Sequence, residues 1–357
     1  MSLNITLKAG DSLYKYQLIR KIGGGNFGEV WLANDVTISR KIAVKILDES
    51  MAPVAENLKE AQLGNRLNHS NVVHVHYADV VDVNGHNIVI IAMDYHPSGS
   101  VVGQLNSSNF LSIISSVSLA IDILRGLEYL HEQSLYHNDI KPSNILIGPR
   151  GEGILTDYGI TGISVDSQPT QAPNAYILHR APETTTSNTI SIQTDVYQVG
   201  LTLFRLMNGI GLIRDIQQSV GNTQFELLKS QNKIPNEKDY LLFIPNNIKK
   251  IIKTATNANT KERYQSALEM RRALEAIAIH GYWTTDSKGN FVGHFNNQVF
   301  RYEITKDYRG FCFLPYRKRL ATNRETKVAR MAGRNLTKRE CTKLIKKFML
   351  NVVEGNI

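Results

Sequence analysis

Over the first hundred residues, apolar positions alternate or run in short blocks. YQLIRKI (16–22), EVWLAND (29–35), KIAVKIL (41–47) and NIVIIAMDY (87–95) are rich in β-branched and aromatic side chains, as sheet strands are. NLKEAQLGNRL (57–67) instead spaces Leu58, Leu63 and Leu67 at helical steps, and PSGS (97–100) closes the last strand. Beyond residue 110 the period is mostly helical, predicting helices over 111–133, 195–208, 246–257 and 265–279. Between them, 138–190 is punctuated by Pro, Gly, Asn and Ser, and no internal repeat or low-complexity tract occurs. A β-rich lobe followed by a helical lobe, with the irregular loops at their junction, is an α+β architecture.

The pattern changes again after Gly281. GYWTTDSKGNFVGHF predicts a hairpin around Lys288, Gly289 and Asn290, and QVFRYEIT and GFCFLP read as further strands. RKRLATNRETKVARMAGR predicts one or two short helices. Thr337 and Glu340 fit a capping box. Behind them Cys341, Leu344, Ile345, Phe348 and Met349 form one apolar stripe, with Lys338, Arg339, Lys343, Lys346 and Lys347 off it. The expected organisation is an N-terminal segment (1–11), a main domain (12–280, lobes meeting near 95) and a small α+β module (281–357).

Composition narrows the class. With 42% hydrophobic and 20% charged residues in 357, the chain has ample core material and is neither disordered nor collagen-like. The most apolar stretch, LSIISSVSLAIDIL (111–124), is broken by serines and Asp122 and reads as a buried helix, not a membrane span. The N-terminus lacks a basic-then-apolar leader, and Cys312 and Cys341 cannot form a disulfide framework, so the cytoplasm is the expected location. Net charge is +9, yet residues 281–357 carry 16 Lys+Arg against 6 Asp+Glu, leaving 25 basic and 26 acidic residues elsewhere. Such asymmetry points to a separate module with an anionic partner.

Candidate chemistry sits in three places. Gly23, Gly24, Gly25 and Gly28 lie between two strand patterns, where glycine lets backbone N–H groups approach phosphate oxygens. Strand–turn–strand context argues against a dinucleotide-binding loop, which needs a helix directly after the glycines. Lys45 interrupts an apolar strand; it either points to solvent from an edge or needs a buried partner such as Glu60. Finally, HNDIKPSN (137–144) precedes a short strand, a turn and Asp157, bringing two carboxylates and an amide together. Oxygen donors of this kind suit magnesium or manganese better than zinc, with a carboxylate left over as a base.

In this order the motifs resemble the eukaryotic-like protein kinase family over about residues 12–279. GGGNFGEV resembles the glycine-rich loop, IAVK the phosphate-binding lysine strand, HNDIKPSN the catalytic loop and DYG the metal-binding triplet. APE (181–183), TDVYQVG (194–200) and KERYQSALEM (261–270) follow. The resemblance implies a bilobal fold that binds ATP and Mg2+ (or Mn2+). It implies that Gly23, Gly25, Gly28 and Lys45 hold phosphates and that Glu60 pairs with Lys45. Val30, Ala43 and Leu146 would sandwich adenine, with Met93 as gatekeeper and Asp94 to His96 as hinge. Asn144 and Asp157 would bind the metal, Asp139 accept the hydroxyl proton and Lys141 stand beside the γ-phosphate. Asp195 would brace the catalytic loop, and Arg263 would pair with Glu183. DIKPSN resembles the serine/threonine branch, and a protein substrate is implied.

Three departures stand out. Asn138 replaces the arginine that grips an activation-loop phosphate in many members, so phosphorylation of Ser164, Ser167 or Thr170 is not expected to be the main switch. Gly64 removes a bulky side chain from the Glu60 helix, which is either loosely seated or packed by Leu63 or Leu67. Tyr176 stands where the branch usually has threonine. The rival readings are an ATP-binding pseudokinase scaffold and a small-molecule phosphotransferase of the same fold; a bacterial toxin or defence role is an analogy drawn from size. For the basic module, a nucleic-acid or ribosome surface with Tyr302, Tyr308, Phe311 and Tyr316 for stacking, an acidic-protein or lobe-docking surface, and a solvated face all stay open.

Overall fold

The computed structural model describes residues 5–25, 28–48, 64–83, 85–105, 110–157, 162–163, 170–171 and 176–357. The first lobe is a six-stranded sheet: β1 (Ser12–Leu13), β2 (Tyr16–Gly25), β3 (Gly28–Asp35), β4 (Arg40–Asp48), β5 (Val75–Val83) and β6 (His86–Met93). Their order is β1-β2-β3-β4-β6-β5, antiparallel throughout. The apolar run of β4 reflects burial on both faces. Ile42, Val44 and Ile46 pack with Leu13, Tyr16, Leu18 and Trp31 on one side. Ala43 and Leu47 face the other way, into the core shared with the second lobe. Lys45 lies on that second face, in a central strand, and is only 4% exposed. The edge-strand reading of this lysine is therefore wrong.

The second lobe is built from α1 (Ile113–Glu132), α2 (Ile192–Asn208), α3 (Leu212–Val220), α4 (Asn222–Ser230), α5 (Asn246–Ala255) and α6 (Ala267–Glu275). Ser112 caps α1 by accepting from the Ser115 amide. From Thr194 to Met207 every residue of α2 is buried, so this helix is the lobe's central column. Short strand pairs line the junction: β7 (Leu135–Tyr136) with β10 (Gly162–Ile163), β8 (Ile145–Ile147) with β9 (Gly153–Leu155), and β11 (Thr170–Gln171) with β12 (Thr189–Ile190). The segment before β5 is stitched to β9: Val73 N donates to Leu155 O (2.8 Å), Leu155 N to Asn71 O (2.9 Å) and Asn71 Nδ2 to Gly153 O (2.8 Å).

The last 77 residues form a second sheet: β13 (Tyr282–Thr285), β14 (Phe291–Phe295), β15 (Gln298–Asp307), β16 (Gly310–Arg319), β17 (Glu325–Lys327) and β18 (Gly333–Leu336), with α7 (Lys338–Glu354) across one face. The order is β13-β14-β15-β16-β17, with β18 also on β16. The predicted hairpin, strands, capping box and apolar stripe are all present. The segment read as short helices is not: it continues β16, forms β17 and β18, and holds a single 3-10 turn (Ala329–Met331). Phe348 of α7 meets the rings of Trp283, Phe300, Tyr302 and Phe313 at centroid distances of 5.8–6.4 Å. Both cysteines are free, Cys341 buried under the helix and Cys312 half-buried.

This module is packed on the helical lobe. Phe291 contacts Phe110 and Phe243, both at 5.9 Å, and those two contact each other at 5.3 Å. His280 and Gly281 donate their amides to Val353 O, at 2.9 and 3.1 Å. The chain approaches α7 so closely at Gly281 that a Cβ would lie 2.2 Å from Val352 O. Among the described residues, no single helix is long and apolar enough to cross a membrane. Trp283→Ala, which empties the module's core, is expected to cost about 3–5 kcal/mol. Phe291→Ala, half-buried between lobe and module, should cost less, about 1–2 kcal/mol. Urea denaturation of the full chain measures both, and an unchanged midpoint in Phe291→Ala would mean the aromatic contact does not hold the two together.

Candidate active site

The glycine segment is the turn-proximal end of the β2–β3 hairpin, with Gly23 opposite Val30, Gly24 opposite Glu29 and Gly25 opposite Gly28. Gly28 has φ +97°, and a Cβ there would fall 2.2 Å from Ile46 O, so only glycine fits. Beneath it, Ala43 and Met93 are buried and Val30 and Leu146 half-buried in one apolar cluster. Lys45, Val73, Val75, Ile91, Met93, Thr156 and Asp157 line a cavity behind it. Lys45 Nζ stands 3.5 Å from Asp157 Oδ1. Glu60, expected to pair with Lys45, lies outside the described residues, as do Ser164 and Ser167; Gly64 is described and buried.

At the hinge, the Asp94 carboxylate is engaged by neighbouring side chains. Its Oδ1 accepts from Arg40 Nη2 (2.7 Å) and contacts His76 Nε2 (2.8 Å). A ligand contact at 94–96 is thereby left to the main chain and to half-buried His96, whose pKa burial lowers.

The catalytic-loop residues converge. Asp139 is 2% exposed; its Oδ2 accepts from Lys141 Nζ (2.5 Å) and Asn144 Nδ2 (2.8 Å), while Oδ1 is buried with no hydrogen-bond partner. Asn144 Nδ2 also donates to Asp139 O (2.9 Å), which leaves Oδ1 as the free end of that amide apart from a contact with Ser143 Oγ. The Thr156 amide donates to Asn144 O (3.1 Å), so Asp157 follows directly beside Asn144, with φ +59°. Asn144 and Asp157 thus present amide and carboxylate oxygens on one side and Asp139 a bare oxygen on the other. That donor set fits a hard divalent cation.

Asp195 holds the loop from behind. Fully buried, it accepts from the His137 amide (2.9 Å) and the Asn138 amide (2.7 Å), and lies 2.8 Å from His131 Nε2. Gln198 and Thr202, one and two turns along α2, bind Ile140 N (2.8 Å), Asn138 O (2.7 Å) and Ile140 O (3.3 Å). Sequence reasoning missed these two, though Asp195, Gln198 and Thr202 form a polar line at helical spacing in an otherwise apolar helix. Asn138 has φ +58°, is fully enclosed, and neither of its amide atoms has a hydrogen-bond partner. It offers no surface to an activation-loop phosphate. Thr170 lies in β11, paired with Ile190.

Further out, Glu183 and Arg263 form a two-pronged pair (2.9 and 2.7 Å), Thr194 donates to Glu183 (2.9 Å), and the guanidinium lies 4.8 Å over Tyr197. Tyr176 lies under Lys141, 5.0 Å from ring centre to Nζ.

The module's proposed stacking residues are scattered. Tyr302 is core, Phe311 packs at the core's edge beneath Lys306, and Tyr316 lies under the Arg301 guanidinium. Tyr308 alone presents its ring, 87% exposed at a hairpin tip.

Residues 16–275 match the protein kinase domain. PrkC, a serine/threonine-protein kinase of Bacillus subtilis, is 28% identical over 267 residues, covering 73% of this chain and 40% of that protein. PknB, a serine/threonine-protein kinase of Mycobacterium leprae, is 25% identical over 274 residues, covering 74% and 43%. The chain spans about two fifths of the length of these relatives. Replacing Asp195 by Ala would strand two buried amides, and is expected to cost about 3–5 kcal/mol. A guanidinium unfolding midpoint equal to wild type would show that the loop holds its shape unaided.

Proposed function

This chain belongs to the protein kinase family, as the match over residues 16–275 shows, and we propose that it transfers the γ-phosphoryl group of ATP to a serine or threonine hydroxyl of a protein. The observation that carries this reading is Asp139 Oδ1: a buried, unpartnered carboxylate oxygen next to an ammonium and an oxygen-donor pair. A buried acceptor left bare is costly unless something fills it, and a substrate hydroxyl supplies the missing donor. Asp139 would take up that proton as the oxygen attacks phosphorus. Lys141 both orients Asp139 through Oδ2 and places a positive charge where phosphate charge gathers.

Lys45, held in the cleft face of β4, would bind the non-transferred phosphates under the β2–β3 hairpin. Asn144 and Asp157 would hold magnesium or manganese, which when bound neutralises phosphate charge. Val30, Ala43, Leu146 and Met93 form the apolar floor for the adenine. Such chemistry needs little beyond positioning and electrostatics, and each group named here is fixed by a contact to its neighbours.

Residues 281–357 would serve as a docking module. Among the described residues Arg301 is the one basic side chain of this module with a carboxylate in ion-pair range, bound to Glu303 and Glu325. The other basic residues are free to meet an acidic partner or a phosphate backbone.

With radiolabelled ATP and a protein substrate, Asp139→Asn is expected to lower transfer by about 10²–10⁴-fold while ATP binding persists. Lys45→Met should weaken ATP binding itself. Chelation should abolish transfer, and magnesium or manganese restore it. ATP binding without transfer by the wild type would instead make the chain a nucleotide-binding scaffold.

A further inference from the structure

Among the described residues, one buried cation in the helical lobe has no counter-charge. Arg205, on α2, is 5% exposed. Its Nη1 meets His179 Nε2 at 2.5 Å and its Nη2 donates to Ile210 O at 3.1 Å, while Nε has no partner. Because a guanidinium only donates, His179 Nε2 must be the acceptor, which makes this histidine neutral and puts its proton on Nδ1. Burial and the cations Arg205, Lys141 and Lys229 hold the His179 pKa well below its usual value, in agreement with that assignment. The Ile140 carbonyl acts on the ring without closing a hydrogen bond to Nδ1.

Among the described residues, no carboxylate offsets the Arg205 charge. Burial lowers its pKa to about 10, against the opposing influence of Tyr176, and exposed Arg214 is a second cation nearby. Close by, Lys229 is equally deep, yet its ammonium is 2.9 Å from Glu226 and donates to the carbonyls of Ile177 and Arg180. Glu226 is committed to Lys229 and Arg180. Buried charges are ordinarily paired, and a guanidinium held only by an imidazole and a carbonyl keeps a charge that an oxyanion can match.

The position of this receptor says where the anion comes from. Asp139 contacts Lys141, Lys141 covers Tyr176, the Tyr176 and His179 rings stack at 6.3 Å, and His179 bonds Arg205. A peptide whose hydroxyl rests on Asp139 would pass this row, whose contacts bring Arg205 within about five residues of extended chain at ~3.3 Å each. Resting on the phosphoryl-transfer reading above, we infer that Arg205, with Arg214 at its rim, receives an oxyanion carried by the protein substrate beside its acceptor residue. The kinase then selects serines and threonines flanked by an acidic or an already phosphorylated side chain.

The full chain is assayed on serine peptides that differ at one flanking position at a time: Asp or Glu, phosphoserine, Ala, or Arg. Wild type should prefer an anionic peptide over its Ala counterpart by about tenfold or more in kcat/KM, expressed mainly in KM and weakened by salt. The Asp/Glu and phosphoserine arms distinguish the two sources. Arg205→Gln should bring the ratio close to one, Arg205→Lys should restore part of it, and Arg214→Gln should reduce it even where Arg205→Gln does not fold. Anionic and Ala peptides used equally well by wild type would overturn the inference, as would an Arg205→Gln that slows both peptides alike. Fluorescence anisotropy of the same labelled peptides separates the two claims. Anion-dependent binding without transfer would refute only the catalytic reading, whereas transfer without anion-dependent binding refutes only this one.

Discussion

A single buried carboxylate sets the geometry of the catalytic loop. Residues 137–141 have no ladder of their own, so their main-chain donors must be met from elsewhere. Asp195 meets two of them, and Gln198 meets a third and caps a carbonyl. These bonds hold Asn138 at a positive φ that an unsupported chain would leave, and Asp139 follows as the next residue. The loop's shape is therefore stored in α2, a helix whose apolar residues are buried on every side. Rigid packing on one side of the loop gives fixed oxygens on the other.

What the sequence made legible was whatever repeats locally. Period-two runs gave β2, β3, β4 and β6 of the first sheet, but not β1 or β5, and β13 to β16 of the second, and the stripe from Cys341 to Met349 gave α7 with its cap. Ordered short motifs gave the converging residues Lys45, Asp139, Asn144 and Asp157. The misreadings share a physical cause: the deciding partner is distant in sequence. Residues 317–336 lack an alternating pattern, and β17 and β18 exist because both pair with β16. At Asp94 it is Arg40, 54 residues earlier, that holds the carboxylate, which leaves the main chain for the expected hinge contact. Tyr302 shares a sheet face with Phe300 and, across the β15–β16 pairing, with Phe313, so alternation alone could have placed it in the core. Counting it as an aromatic available for stacking ignored which way it faced.

The C-terminal module separates its stabilising groups from its charged ones. Trp283, Phe300, Tyr302, Phe313 and Phe348 fill the space between sheet and helix, and Trp283 Nε1 donates to Met349 O at 2.9 Å. Its acids are spent locally: Asp286 and Asp307 in turns, Glu340 in the cap, Glu303 and Glu325 on Arg301. Apart from Arg301, its cations have no carboxylate in ion-pair range among the described residues and repel one another. An aromatic core this dense tolerates that repulsion, so the charge is a property of the surface alone.

Within the kinase body, buried cations are handled in three ways that differ in cost. Arg263 is matched by the Glu183 carboxylate, a tyrosine ring and two carbonyls. Lys229 is matched by one carboxylate and two carbonyls, with its pKa lowered to about 8 by burial. Arg205 has an imidazole and one carbonyl. Desolvating a charge costs several kcal/mol and is recovered only by good partners. Arg263 has the most partners to recover that cost and Arg205 the fewest. An apolar side chain of similar volume would spare the core of α2 that desolvation cost.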